Sequence, residues 1–380
     1  MKIAFLTPEY PHSLTGVSGG LGTSIKSLAR SLVNQGHTAR VLLYGQKEED
    51  CFEDDGVVVQ RIKNVKFKGF SWYLTRKKLE RIINQLYIQQ ELNLVEAPDW
   101  TGISSFIHPK CPMVIRLNGS DTYFCHLDQR PVKWGNRFHE KRALQNANAY
   151  LSVSHYTAQL TNQLFELNKN FTIIPNSINC SDFTNDHQVI ATPPIVLYFG
   201  TLIRKKGLLE LPLIFNKVFE KHPLVQLHLV GRDTSDIISG NASTWQMMQE
   251  LFTPEALANV TYFGGIPYAA IKKHIQQATV CVFPTFAEAL PLSWLEAMAM
   301  EKAVVASDIG WASEIIDDGV DGLLENPKNH QAYAQKIGNL LENPLLNKKL
   351  GKKALQKVRN QFSDELVILK NIDFYRTLIK

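Results

Sequence analysis

Short, almost wholly apolar runs alternate along this chain with longer runs whose apolar residues recur every three to four positions. The short runs predict strands buried on both faces, and the three-to-four repeat predicts helices. In the first half, Ile3–Leu6, Ala39–Tyr44, Leu94–Glu96, Met113–Leu117, Tyr150–Val153 and Phe171–Ile174 are the expected strands. Ser24–Gln35, Lys77–Gln90, Arg137–Asn146 and Thr157–Phe165 are the expected helices. The alternation breaks at Asn176–Pro194, a stretch rich in Asn, Asp, Ser and Thr that ends in two prolines and reads as a connector. It resumes with strands at Ile195–Phe199, Gln226–Val230, Val260–Phe263, Thr279–Phe283 and Ala303–Ser307, and with helices after Gly207, Pro267 and Pro291. Such alternation builds a mostly parallel sheet covered by helices on both faces. The expected class is therefore α/β, with two doubly wound domains, 1–185 and 190–363, and a cleft between them. The stretch 364–380 reads as a helix packing back on the first domain.

A chain of 380 residues is long for one core, which agrees with two domains. Its 44% hydrophobic and 20% charged content describes a soluble globular protein. The net charge of +5 fits phosphate ligands or an anionic membrane surface without selecting either. The apolar run after Met1 is too short for a signal peptide, and no stretch reaches the roughly 20 apolar residues of a spanning helix. Cysteines at 51, 111, 125, 180 and 281 are scattered, without C-x-x-C spacing. That pattern predicts reduced thiols in a cytoplasmic protein, with neither a zinc site nor a disulfide framework. The basic residues form no recognised nucleic-acid module, so no nucleic-acid partner is expected.

Three constellations carry candidate chemistry. Gly16–Ser24 follows the first strand and opens a helix; its glycines, Gly19 and Gly20 among them, let backbone N–H groups approach an anion, or simply form a flexible turn. Tyr198–Gly207 ends the first strand of the second half and carries Arg204, Lys205 and Lys206, cations suited to a diphosphate leaving group. Glu288 and Glu296 stand eight positions apart, one on the loop after strand Thr279–Phe283 and one inside the next helix, with Pro291 expected at the first helical position. Open α/β sheets bind ligands at this edge, and a helix start attracts anions. Two carboxylates there could hold sugar hydroxyls beside a phosphate, or serve as a glycosidase acid–base pair.

Glu288 to Glu296 resembles the E-x7-E motif of retaining glycosyltransferases. The flanking Pro284, Leu295-Glu296-Ala297-Met298-Ala299, Glu314-Ile315-Ile316 and Asp318-Gly319 are similar to glycosyltransferase family 4. Gly19-Gly20, Asn118-Gly119-Ser120-Asp121, Ile174-Pro175-Asn176-Ser177-Ile178 and Gly200 through Gly207 extend the resemblance over almost the whole chain. It implies a GT-B fold of two Rossmann-like domains, with the acceptor mainly on the first and a nucleotide-sugar donor mainly on the second. It also implies that Lys206 contacts the donor diphosphate, Glu288 the donor sugar and Glu296 the ribose, with Gly20 near the diphosphate. Two positions depart from the family pattern. Thr201 stands where an Arg is frequent, and Arg204 is expected to supply that charge. Asn118 stands where a His is frequent, and can bind a hydroxyl but cannot become a cation.

The expected reaction is sugar transfer to a hydroxyl of a saccharide, a glycolipid or other lipid-linked molecule, or another acceptor, with retention, in bacterial polysaccharide or glycolipid synthesis. Lys206, Arg204 and the N–H groups of Ala289 and Leu290 would stabilise the departing diphosphate. No D-x-D motif occurs, so neither a metal nor another cofactor is expected. The alternatives are a phosphorylase, a nucleotide-sugar epimerase or a non-catalytic sugar-nucleotide binder. The basic stretch Lys63–Arg81, with Phe67, Phe70, Trp72 and Tyr73, reads either as a peripheral contact with the inner face of the cytoplasmic membrane or as a solvated segment with its rings turned inward. Trp100 is read as a sugar-stacking or a structural ring, and Arg116 as a partner for an anionic acceptor or for a nearby carboxylate.

Overall fold

The computed structural model describes residues 1–16, 18–184 and 192–379. Val17 of the glycine-rich run, residues 185–191 of the expected connector and Lys380 lie outside the described residues. The chain forms two compact units, Met1–Asn179 with Phe362–Lys380, and Cys180–Gln361.

The first unit is built on strands β1 (Lys2–Thr7), β2 (Thr38–Gln46), β3 (Asp50–Asp54), β4 (Val57–Lys63), β5 (Leu94–Pro98), β6 (Met113–Leu117), β7 (Ala149–Ser152) and β8 (Thr172–Ile173). Their order across the sheet is β3-β4-β2-β1-β5-β6-β7-β8. All pairings are parallel except β3 with β4. The β3–β4 hairpin was not among the expected elements. Strand β3 alternates polar and half-buried positions on the sheet edge, so it shows no apolar run. Two further differences concern helices. Ser71–Ile88 begins six residues before its expected start, and Asp121–Leu127 is an additional short helix capped by the Ser120 side chain.

Two layers pack on this sheet. One face buries Ile3, Phe5, Val41 and Val114 under the helix Gly20–Asn34 and the C-terminal helix Asp364–Arg376, which contributes Val367, Ile368, Ile372 and Tyr375. The other buries Ala4, Leu6, Leu42 and Val95 under Leu79 and Ile83 of the helix Ser71–Ile88. The C-terminal helix is also fastened by a buried polar group. Arg116 pairs with Glu96 at 2.7 Å, and its guanidinium donates to Asn371 at 2.6 Å and to the Tyr375 hydroxyl at 3.3 Å. Of the two roles open to Arg116, the structure realises the structural one.

The second unit holds β9 (Ile195–Phe199), β10 (Gln226–Val230), β11 (Val260–Tyr262), β12 (Val280–Phe283), β13 (Val304–Ser307) and β14 (Leu323–Glu325). They form a wholly parallel sheet in the order β11-β10-β9-β12-β13-β14. The order reverses between β9 and β12. In open parallel sheets the carboxyl edge at such a reversal is where ligands bind.

Candidate active site

The loops after β9 and β12 meet at that reversal, and they meet closely because of a glycine. Gly207 adopts a positive φ of 72°, and a Cβ there would lie 1.7 Å from the Pro284 carbonyl oxygen. The Phe286 N–H and the Ala287 N–H both donate to the Lys205 carbonyl, at 2.9 and 3.2 Å. The cationic turn Arg204–Lys206 is thereby laced to the segment carrying Glu288. The result is an ion pair, Lys206 Nζ to Glu288 Oε1 at 2.7 Å, with both side chains partly open to solvent. Gly200 adopts a φ of 139°, which side chains rarely take, and a Cβ there would press on the Tyr198 hydroxyl at 3.1 Å.

Arg204 does not join this pair. Its Nε and Nη2 donate to the two carboxylate oxygens of Asp236 at 2.8 and 2.7 Å. That fork, aided by Ser239, holds the Asp236 carboxyl far below its ordinary range. The charge expected to compensate for Thr201 is therefore already matched by an acid 32 residues along the chain. The Thr201 carbonyl itself accepts from the buried Tyr198 hydroxyl at 3.0 Å.

Pro291 stands one residue ahead of its expected place. Its ψ of 117° is extended, so the helix starts at Leu292 and runs to Ala299. Ala289 and Leu290 consequently lie in the turn before the helix rather than in its first turn. Glu296 is buried inside the helix and accepts from the Tyr268 hydroxyl at 2.5 Å. Burial pushes its carboxyl up to about 7, against the opposing influence of that hydroxyl and of the Lys206 charge.

In the first unit the sheet order reverses between β1 and β5. The loop after β1 contains Glu9, whose carboxylate accepts from the Gly19 N–H at 3.1 Å and the Gly22 N–H at 3.0 Å. The glycine-rich helix start thus has a resident anion supplied by its own chain, and Gly19 is engaged with it. Gly20 has no atom within 4 Å of where a Cβ would stand, so the backbone there is open to close approach. After β6, the Asn118 N–H donates to Asp99 at 3.0 Å. Asp99 is buried, its other carboxylate oxygen has no hydrogen-bond partner, and desolvation pushes its carboxyl up to about 7. Glu140 accepts from the Thr101 and Asp121 N–H groups at 3.1 and 2.9 Å, and also from Thr122, locking the loops after β5 and β6 together. Neither Glu9 nor Glu140 was singled out from sequence. Each is one Glu among many until the fold brings N–H groups to it.

The rings of the Lys63–Arg81 stretch divide. Phe67 and Phe70 are each 59% exposed, and Trp72 is 43% exposed while one edge packs against Phe106. Trp100 lies on the surface with an edge contact to Phe124. Among the described residues no helix is long and apolar enough to cross a membrane, and no group of three His, Cys, Asp or Glu is placed to hold a metal ion.

A glycosyltransferase of Methanocaldococcus jannaschii, described as uncharacterized, is 23% identical over 99% of this chain and 98% of its own length. Sucrose-phosphate synthase from Thermosynechococcus elongatus shares the fold with a TM-score of 0.79 at 20% identity, covering 100% of this chain and 99% of its own. The Anabaena protein HepE, solved in complex with UDP-glucose, superimposes with a TM-score of 0.74 at 18% identity over the full length of both chains. Residues 18–182 match the family model described as Glycosyltransferase Family 4, and residues 182–357 match Glycosyl transferases group 1. With two parallel α/β units of GT-B type and both halves accounted for in this way, the chain belongs to the family 4 type of glycosyltransferases.

Proposed function

We propose that this enzyme transfers a sugar from a nucleotide-diphosphate sugar to an acceptor hydroxyl, with retention at the anomeric carbon and without a metal ion. The observation that carries the reading is the Lys206–Glu288 pair at 2.7 Å, at the carboxyl edge where the second sheet reverses its order. In this reading the anomeric C–O bond to the diphosphate breaks and a bond to the acceptor oxygen forms on the same face. The acceptor proton passes to the departing diphosphate. Lys206 stabilises the charge that develops on the leaving group, a cation fixed in advance and therefore strongly favourable to the transition state. Glu288, steadied by Lys206, orients the donor sugar through its hydroxyls. Glu296 receives the ribose hydroxyls. Arg204 acts through Asp236 as a clamp on the cationic turn rather than as a phosphate ligand.

The acceptor belongs to the first unit in this reading, and is a saccharide or lipid-linked saccharide of polysaccharide or glycolipid assembly. Exposed Phe67 and Phe70, flanked by Lys66 and Lys68, favour peripheral contact with an anionic membrane from the cytoplasmic side. Salt-sensitive sedimentation with phosphatidylglycerol vesicles tests that contact.

The decisive experiment begins with a thermal-shift panel of UDP, GDP, ADP and CMP in EDTA, since a ligand that binds only the folded state raises its stability. Transfer from the matching nucleotide sugar is then followed by NMR of the product anomer. Retention, activity in EDTA, and a fall of about 10²–10³-fold in kcat for Lys206→Ala are expected, the magnitude found on removing one preorganised charge-stabilising group. An inverted product or an unimpaired Lys206→Ala would overturn the reading. Sugar 1-phosphate formed with phosphate as co-substrate would replace it with a phosphorylase.

A further inference from the structure

The first unit contains a cavity of about 440 Å³ at the same carboxyl edge of its sheet, in the size range of small-molecule sites. Tyr44 near the end of β2, Asn64 after β4, Trp72 and Arg76 from the helix Ser71–Ile88, and Asn136 and His139 from the helix Trp134–Asn146 line it. Arg76 is the unusual member. Its side chain is only 6% exposed, yet among the described residues no carboxylate lies within 4.0 Å of it. Two of its nitrogens donate to the Trp72 and Gly102 carbonyl oxygens at 3.1 and 3.2 Å, and its Nε has no partner. The buried Tyr44 hydroxyl beside it has none either.

Buried arginines are ordinarily paired, because an isolated charge is costly to take out of water. The neighbours do not supply the missing anion. The carboxylate oxygens of Glu140 are committed to Thr101, Asp121 and Thr122. His139 is kept neutral, as burial and the charges of Arg76 and Arg142 push its pKa down to about 4. Glu9 carries a charge near Tyr44, but its carboxylate is held by Gly19 and Gly22.

We infer that this cavity is an acceptor subsite for an anionic group, a phosphate or carboxylate carried by the acceptor, which pairs with Arg76 and takes a hydrogen bond from Tyr44. The inference rests on the transferase reading for the word acceptor, and names the acceptor's class as an acidic saccharide. The planar guanidinium suits such oxyanions, and unpartnered donors make a neutral competitor a poor substitute because it would leave them unpaired. The amide of Asn64 stands at the wall for a sugar hydroxyl, whereas that of Asn136 donates to Asp121 at 2.9 Å.

The test uses the full chain and calorimetric titration with inorganic phosphate, glucose 6-phosphate and glucuronate, each against methyl glucoside. At least one anion is expected to bind ten or more times tighter than the neutral sugar. Arg76→Gln should abolish that preference, Arg76→Lys should keep part of it, and Tyr44→Phe, which keeps the ring and its packing, should reduce it several-fold. Equal binding of charged and neutral probes, no anion binding, or a preference unchanged in Arg76→Gln and Tyr44→Phe overturns the inference. Phosphatidylglycerol vesicles that displace the soluble anion in an Arg76-dependent way would assign the anionic group to a lipid, and failure to displace it would assign it to the saccharide. Nucleotide-induced thermal stabilisation is measured on the same samples. Its loss in the native chain would count against the transferase reading alone, and its retention in Arg76→Gln shows that the variant is folded.

Discussion

Replacing Glu296 by Gln should make the second unit more stable at alkaline pH and less able to hold a nucleotide. Burial raises the Glu296 carboxyl from an ordinary 4.5 to about 7. Each tenfold change in a proton equilibrium corresponds to about 1.4 kcal/mol, so keeping this group ionised in the folded state at pH 8 costs roughly 3 kcal/mol. The direction follows from the raised value. The folded state holds the proton more tightly than the unfolded chain, so this stabilising contribution is complete below pH 4.5 and is lost as pH rises through 7. Glutamine has nearly the same volume, still accepts from Tyr268, and cannot ionise. For a unit of 150–250 residues, 1 kcal/mol moves Tm by about 2–4 °C, so the variant should melt roughly 6–12 °C above the native chain at pH 8, with the gap closing toward pH 5. Calorimetry at pH 5, 6, 7 and 8 without nucleotide measures it. Parallel curves for the two proteins across that range would refute the claim that burial of this carboxyl governs its protonation. In the proposed function, the variant should also lose most of the nucleotide-induced stabilisation at pH 8, where the native carboxylate is ionised.

Gly207→Ala should destabilise the second unit by more than about 2 kcal/mol in urea, because its positive φ strains any Cβ and the Pro284 oxygen occupies the space. Glu96→Gln should cost the first unit about 3–5 kcal/mol by the same measure, since it leaves the Arg116 charge buried without its counter-ion. Asp236→Asn should cost about 1–3 kcal/mol at pH 7, as a charge-assisted pair with a partly exposed arginine is lost. Because Arg204 and Ser239 depress the Asp236 carboxyl, its contribution is present above pH 3.8 and disappears as pH falls through the folded value, so the variant and native chains should converge in acid. Transfer by Asp236→Asn should fall less than tenfold, against the hundredfold or more expected of Lys206→Ala.

The strands that sequence reveals most readily are those buried on both faces. Ile195–Phe199 is apolar throughout because every one of its residues is covered. The β3–β4 hairpin is less apparent because β3 is a polar edge strand. Its turn nevertheless carries a local sign, Asp55-Gly56, with positive φ at both residues, 53° and 79°. The roles of charged residues are the least legible. Arg204 and Lys206 are two positions apart in one cationic run, yet one faces Asp236 and the other Glu288. Nothing local to that run distinguishes them, since the acids arrive from different loops. Arg76 reads as one more cation of the basic stretch Lys63–Arg81, and only the loops folded over it reveal a buried cation without an acid.

The buried Arg116 group also bears on the order in which this protein can be made. Its guanidinium belongs to the first unit, but the amide of Asn371 and the hydroxyl of Tyr375 reach it from beyond residues 180–361. The outgoing and returning segments are stitched side by side. The Ile178 N–H donates to the Phe362 carbonyl at 2.9 Å, and the Asp364 N–H donates to the Ile178 carbonyl at 3.1 Å. A ribosome must therefore translate the whole second unit before the first can close its core. Until then the apolar face awaiting Val367, Ile368 and Ile372 stays uncovered, a surface by which a cell's chaperones and proteases can tell an unfinished chain from a finished one.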